Sequence, residues 1–274
     1  MNDFATFAPY LVLLGYAAAT AAYAVLFFKA QKGAQRLASP LLQAAVALHL
    51  AYLGWLTWRW AQFPGATVSQ ALTVVAFAIA IIYLFLEWLG GERATGVWLV
   101  GQVLVFQLLA VVLHEPMPPK RELFEHPLFG IHVFLALLGY AAFAVAASYG
   151  FLFLRLYREL KRSRFSVFYG KLPPLEVLER MMNGALAVGF AALTGALLDG
   201  AIWASQRSDL DWQRDPTILL TMATWALYGI ALLLRRLRRW QGRQTAVASL
   251  AGLGVIVASL VAVHTLMVGF HRSF

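Results

Sequence analysis

The chain has 274 residues, of which 61% are hydrophobic and 13% charged, with a formal net charge of +9 and no cysteine. A soluble domain carries about 25% charged residues, so this composition excludes an ordinary water-soluble globule. The missing cysteines exclude disulfides, thiolate metal sites and thiol redox chemistry supplied by this chain.

Apolar runs long enough to cross a ~30 Å hydrocarbon layer recur along the whole length. They do not alternate apolar with polar residues as the strands of an outer-membrane barrel would. The reading is all-α: a single domain, residues 1–274, forming a polytopic membrane bundle of about eight transmembrane helices. The expected spans are Thr6–Phe28, Pro40–Trp60, Val68–Trp88, Gly96–Leu113, Ile131–Leu156, Asn183–Ala204, Thr217–Leu234 and Val247–Val268. The first run has no Lys or Arg before it, so it is expected to stay as a helix and not to be cleaved as a signal peptide.

Between the spans the chain alternates basic and nearly neutral connections. Lys29, Lys32 and Arg36, then Arg93, then the run from Arg155 to Arg180, then Arg235 to Arg243 fall on one side. That side holds 16 of the 22 Lys and Arg, which places it in the cytoplasm and both termini outside. In a bacterium this is a multi-pass protein of the inner membrane. The basic charge then reads as topology signal and contact with anionic lipid, with no nucleic acid implied. The outer connection His114–Gly130 contains Pro116, Pro118 and Pro119, which rule out a continuous helix. The inner connection, residues 157–182, ends in LPPLEVLERM, with Leu175, Leu178 and Met181 at helical spacing. It is expected to lie as a short interfacial helix on the cytoplasmic surface.

The outer loop 203–216 is the candidate functional segment. It brings Trp203, Arg207, Trp212, Arg214 and Asp215 to the membrane surface before Pro216. Two tryptophans with two arginines make a shelf for a flat, anionic, aromatic ligand; an interfacial aromatic belt with ordinary loop charges has the same composition. Asp199, about one turn below the end of the sixth span, needs a partner or a watery cavity. It can serve a histidine or a ligand, or simply reach water.

Of six histidines, five (His114, His126, His132, His264 and His271) gather at this outer face, and only His49 lies near mid-membrane. His49 reads as a satisfied core residue or a polar link between helices. Imidazole is a metal and haem ligand. If the fifth and eighth spans meet, His132 and His271 can clamp a haem iron from its two sides. The alternative is that interfacial histidines tolerate a half-wet depth. His264 and His271, seven residues apart, lie about 10 Å apart along a helix and cannot both bind one iron.

The segment GAIWASQRSDLDWQRDPTILLTMATW, through Trp203, Ala204, Trp212, Asp215, Pro216 and Trp225, resembles the tryptophan-rich segment of the cytochrome c assembly (CcsA/HemX-like) membrane proteins. IHVFLALLGYA resembles the family's LHVxxxxLxYA, and VGFHRSF its GLHSYG. LPPLEVLERM is similar to the shorter HemX or YpjD branch. The resemblance implies that His132 and His271 are outer-side haem ligands. Arg214 stands where the family has Trp, Ser208 replaces another Trp, and Gln62 and Leu233 occupy the places of two deep histidines of the full-length haem exporters.

On this reading Trp203 and Trp212 bury the haem ring, Arg207 or Arg214 pairs its propionates, and Asp215 caps the seventh span. The protein is then a haem-handling assembly factor, not an enzyme in the usual sense, whose partners are the lipid bilayer, other cytochrome c assembly proteins and apocytochrome. Two other readings stay open: a regulatory or structural protein of the HemX type that has lost haem transport, and a small ion or proton transporter using Asp199 and His49.

Overall fold

The computed structural model describes residues 3–29, 32–113, 126–163, 169–205, 216–238, 240 and 242–271, with side chains followed as far as residue 258. Eight helices among the described residues bear out the eight expected spans. They are α1 (Asp3–Lys29), α2 (Lys32–Trp60), α3 (Val68–Gly90), α4 (Gly96–Val112), α5 (Pro127–Lys161), α6 (Leu175–Ser205), α7 (Pro216–Arg238) and α8 (Gly242–His271). Six are long and apolar enough to cross a membrane; α4, at 17 residues, and the part of α8 searched, Gly242–Ala258, are shorter.

The helices form two groups of four. In the first, α1 packs on α2 and α4, and α3 on α2 and α4; in the second, α5 packs on α6 and α8, and α7 on the same two. The seam between the groups is chiefly α3 against α5. Between apolar helices in lipid, close backbone approach supplies the packing that the hydrophobic effect supplies in water. The sequence provides for it in α5, where Ala141, Ala142, Ala144, Ala146 and Ala147 are all buried. A Cβ at Gly189 of α6 would lie 3.1 Å from the Gly139 carbonyl oxygen of α5, so any side chain there would push the two helices apart. Large apolar side chains instead cover the perimeter, with Leu14, Phe85, Trp88, Leu108, Phe151 and Ile202 exposed as a lipid-facing surface requires.

The basic ends of α5 and α7 and the start of α8 lie at one face, as the charge distribution anticipates. The opposite face, where α5 and α7 begin and α6 ends, is called the outer face below. One expectation is corrected. LEVLERM is not a separate interfacial helix but the first two turns of α6, which runs unbroken from Leu175 to Ser205. The cause is packing: Leu178, Met181 and Met182 are buried, and the Met181 methyl reaches the Gly90 position at the end of α3.

His49 is the polar link expected of it. The ring is fully buried; Tyr16 of α1 meets its Nδ1 at 2.9 Å and Thr73 of α3 its Nε2 at 3.0 Å. Thr73 gives its own proton to Gln107 Oε1 of α4 at 2.8 Å. The string therefore has one direction: Tyr16 O–H donates to Nδ1, and Nε2–H donates to Thr73. It joins all four helices of the first group. Interhelical hydrogen bonds in membranes are worth about 0.6–1.7 kcal/mol each. His49→Leu is expected to cost about 1–2 kcal/mol in detergent unfolding. An unchanged unfolding curve would show the string to be energetically idle.

Candidate functional site

The outer face is built on the first two turns of α5 and the last two of α6. Helix α5 starts sharply: the His126 side chain accepts from the Leu128 N–H, and Pro127 follows as the first helical residue, where its missing N–H costs nothing. This start sets the phase that turns His132 toward α6.

His132 Nδ1 lies 2.9 Å from the carbonyl oxygen of Ala196. A carbonyl can only accept, so Nδ1 carries the proton and donates it. The neutral ring then presents an unprotonated Nε2, the tautomer a metal ligand requires. The space for the ring comes from Gly200: a Cβ there would stand 2.9 Å from both Cε1 and Nδ1 of His132. Ala196, Asp199, Gly200 and Trp203 recur at helical spacing along one stripe of α6. Trp203, half-buried, meets Phe129 of α5 edge-on with ring centroids 6.2 Å apart. One carboxyl oxygen of Asp199 is buried with no hydrogen-bond partner. His132 therefore takes the Ala196 carbonyl as its partner, and not Asp199. His49 belongs to the other group of helices from Asp199, which does not favour a single ion path through both.

Trp225 of α7 has a supporting position. Its Nε1–H donates to Thr194 Oγ1 at 2.8 Å, and its ring stacks on Phe190 at 5.4 Å, fastening α7 to α6 below the outer loop. Tyr140 and Thr221, 3.1 Å apart through their hydroxyls, do the same between α5 and α7. Arg207, Trp212, Arg214 and Asp215, like His114, lie outside the described residues. The backbone of α8 reaches His271, but the side chains of His264 and His271 lie outside the described ones.

The register of α8 is nevertheless set by its contact with α5. A Cβ at Gly150 would lie 3.0 Å from the Ala246 carbonyl, which puts these two residues level in an antiparallel pair. Counting equal steps outward brings residue 264 level with His132 and residue 271 about 10 Å further out, at 1.5 Å per residue. The outward end of α8 therefore lies on the same side of the bundle as Trp203.

Sequence reasoning singles out His132, Asp199 and Trp203, and the structure brings them onto one α5–α6 face. It misses Gly200, Ala196 and Phe129. Gly200 left a signal, because a glycine inside a helix costs about 1 kcal/mol relative to alanine and asks for a reason.

A family model described as Cytochrome C assembly protein matches residues 42–271. Protein HemX of Bacillus subtilis (strain 168) is 25% identical over 235 residues, covering 84% of each chain. Cytochrome c biogenesis protein CcsA of Synechococcus sp. (strain RCC307) is 27% identical over 255 residues, covering 82% of each. The CcsA of Prochlorococcus marinus (strain MIT 9303) is 26% identical over 244 residues, covering 78% of this chain and 76% of its own.

Proposed function

This chain belongs to the cytochrome c assembly protein family, and from that premise we propose that it binds haem at its outer face and passes it on during the making of c-type cytochromes. The observation that carries the reading is His132. Its Nδ1–H is tied to Ala196, its ring is seated over Gly200, and on this reading its Nε2 coordinates iron on the face where Trp203 meets Phe129. His271 is the proposed second ligand, at the outward end of α8. Trp203 and Trp212 cover the ring, and Arg207 or Arg214 neutralises a propionate.

The division of labour follows from composition. With no cysteine, the chain can hold and orient haem but supplies no thiol to bond it; those thiols belong to the apocytochrome. The proposed setting is a bacterial inner membrane, with other assembly proteins receiving the haem. Detergent-purified protein titrated with haem is expected to give a saturable 1:1 complex with the absorption spectrum of low-spin, bis-histidine iron.

A second reading has its own support: the similarity to HemX, and Gln62 and Leu233 at the places of two histidines of the full-length exporters. Leu233 lies exposed on α7. A protein that serves a regulatory or structural role would take up no haem in the titration, and that result decides between the two.

A further inference from the structure

The inner ends of α6 and α7 and the link from α7 to α8 border an open cavity of about 560 Å3, lined by Glu179, Leu232, Arg235, Arg236 and Trp240. Arg235 and Arg236 stand in the last turn of α7, Trp240 in the link that follows, and Glu179 in the second turn of α6. Arg238, Arg239 and Arg243 follow in sequence, so five arginines fall within the nine residues 235–243. Like charges this close repel one another and make the turn strongly positive. The start of α8 adds the partial positive charge of a helix N-terminus. Glu179 answers that part: a Cβ at Gly242 would lie 2.5 Å from Glu179 Oε2, so the carboxylate rests against the first residue of α8. Among the described residues, neither Arg235 nor Arg236 pairs with a carboxylate; the ion pairs of the inner face are Arg93–Glu87 and Arg155–Glu159. The two neighbouring positions outside the described ones are Arg239 and Gln241, which bring no carboxylate.

Depth and wall together define what fits. By the positive-inside rule this is the cytoplasmic face, level with the lipid heads of that leaflet. Arg235 and Trp240 are half-buried in the wall and Arg236 is exposed at it, so the guanidinium groups can be reached. Two guanidinium forks match the oxygens of a phosphate, and one carboxylate against them leaves the wall net positive. Trp240 has the amphipathic ring that favours a membrane surface, with an indole N–H to donate. On α7 itself, Ile230, Leu233 and Leu237 form one exposed apolar stripe, and Arg236 stands one turn from Leu233 at its edge. A charged cavity thus opens beside a surface suited to acyl chains. The positive-inside rule calls for basic residues here, but not for a cavity walled by a half-buried arginine and a half-buried tryptophan. Loose charges attract a film of lipid, whereas a shaped wall selects a single head.

We propose that this cavity binds one anionic phospholipid of the cytoplasmic leaflet. Arg235 and Arg236 hold its phosphate, Trp240 lies against its head, and its chains run along Ile230, Leu233 and Leu237. The lipid neutralises the arginine-rich turn and so stabilises the second group of helices. The site lies at the other end of α7 from the outer face and stands apart from the haem reading.

The test titrates the full chain in neutral detergent with dioleoylphosphatidylglycerol, dioleoylphosphatidylcholine or inorganic phosphate. Native mass spectrometry counts bound lipid, and thermal unfolding is followed in parallel. One phosphatidylglycerol is expected to stay bound and raise the unfolding temperature. The zwitterionic lipid with the same chains, and inorganic phosphate, are expected to do neither. Arg235→Gln/Arg236→Gln is expected to bind phosphatidylglycerol about 10–30-fold more weakly, the effect of two basic residues at an anionic membrane surface. Lys29→Gln/Arg36→Gln removes the same charge from the inner ends of α1 and α2, and is expected to bind as wild type does. Glu179→Gln removes the opposing carboxylate and is expected to bind more tightly, a gain that damage to the fold cannot imitate. The proposal is overturned if phosphatidylglycerol binds no better than phosphatidylcholine, or if inorganic phosphate reproduces the stabilisation. Equal losses in the two double variants, or no gain in Glu179→Gln, would overturn it as well.

Discussion

Changing His132 and His271 together to alanine is expected to abolish the low-spin haem spectrum, and Gly200→Leu, which alters no ligand, is expected to come close to the same result. The first half follows from the proposed coordination: with both proposed axial imidazoles gone, only the proposed ring burial against tryptophan would remain. The second half is specific to the geometry. A Cβ at residue 200 already stands 2.9 Å from the His132 ring, and a leucine side chain has no place there unless the imidazole swings out. Swinging out breaks the Nδ1–H bond to Ala196 and releases the tautomer that it fixes. Loss of such an orienting contact commonly lowers metal affinity 10–100-fold. Gly200→Ala should give a milder version, because a ring can shift by a few tenths of an ångström. The single substitutions His271→Ala and His264→Ala then settle the second ligand. The α5–α8 register places residue 264 level with His132 and residue 271 about 10 Å beyond it. Loss of the spectrum in His264→Ala with retention in His271→Ala would sink the assignment of His271. Retention in the His132→Ala/His271→Ala double variant would sink the site.

The spans were legible because each requires only length and apolarity, and both are local. Their ends were less so. Helix α5 begins at Pro127 and not Ile131, because His126 caps it from outside the apolar run. Helix α6 begins at Leu175, because Leu178 and Met182 pack inward instead of lying on the surface. At the site, residue types announced His132, Asp199 and Trp203, whereas their working arrangement did not show. That the partner of His132 is a backbone carbonyl, and that Gly200 makes room for the ring, depends on how α5 and α6 meet. No spacing within either helix contains that information. Gln62 is the sharper case. In sequence the resemblance marks it only as standing where the full-length exporters have a deep histidine. Only the fold reveals an amide buried with both ends unpaired.

Arg93→Met is expected to be the most destabilising substitution at the inner face, and to leave haem uptake untouched. Glu87, near the end of α3, is 5% exposed, and Arg93 Nε approaches its Oε1 at 3.2 Å. The Tyr23 hydroxyl of α1 donates to the other carboxylate oxygen, and Arg93 Nη1 donates to the Gln35 carbonyl of α2 at 2.6 Å. The pair meets because Gly91, at φ +68°, ends α3 in a left-handed turn and returns the chain toward Glu87. Three helices and a link thus converge on one carboxylate. Removing the partner of a buried charge costs about 3–5 kcal/mol when both groups are buried. Arg93 is 39% exposed, so solvent screens part of the interaction, and about 2–3 kcal/mol is the reasonable expectation. The asymmetry is the useful part. Glu87→Gln leaves behind an arginine that water can reach and a neutral amide that Tyr23 can still bond, so it should cost about 1 kcal/mol, the scale of one hydrogen bond. Combined with Arg93→Met, it should recover part of the loss, because the stranded charge is then gone. Unfolding of the three variants in detergent measures this directly. If Arg93→Met proves no more damaging than Glu87→Gln, the buried carboxylate is not what secures the inner ends of α1, α2 and α3.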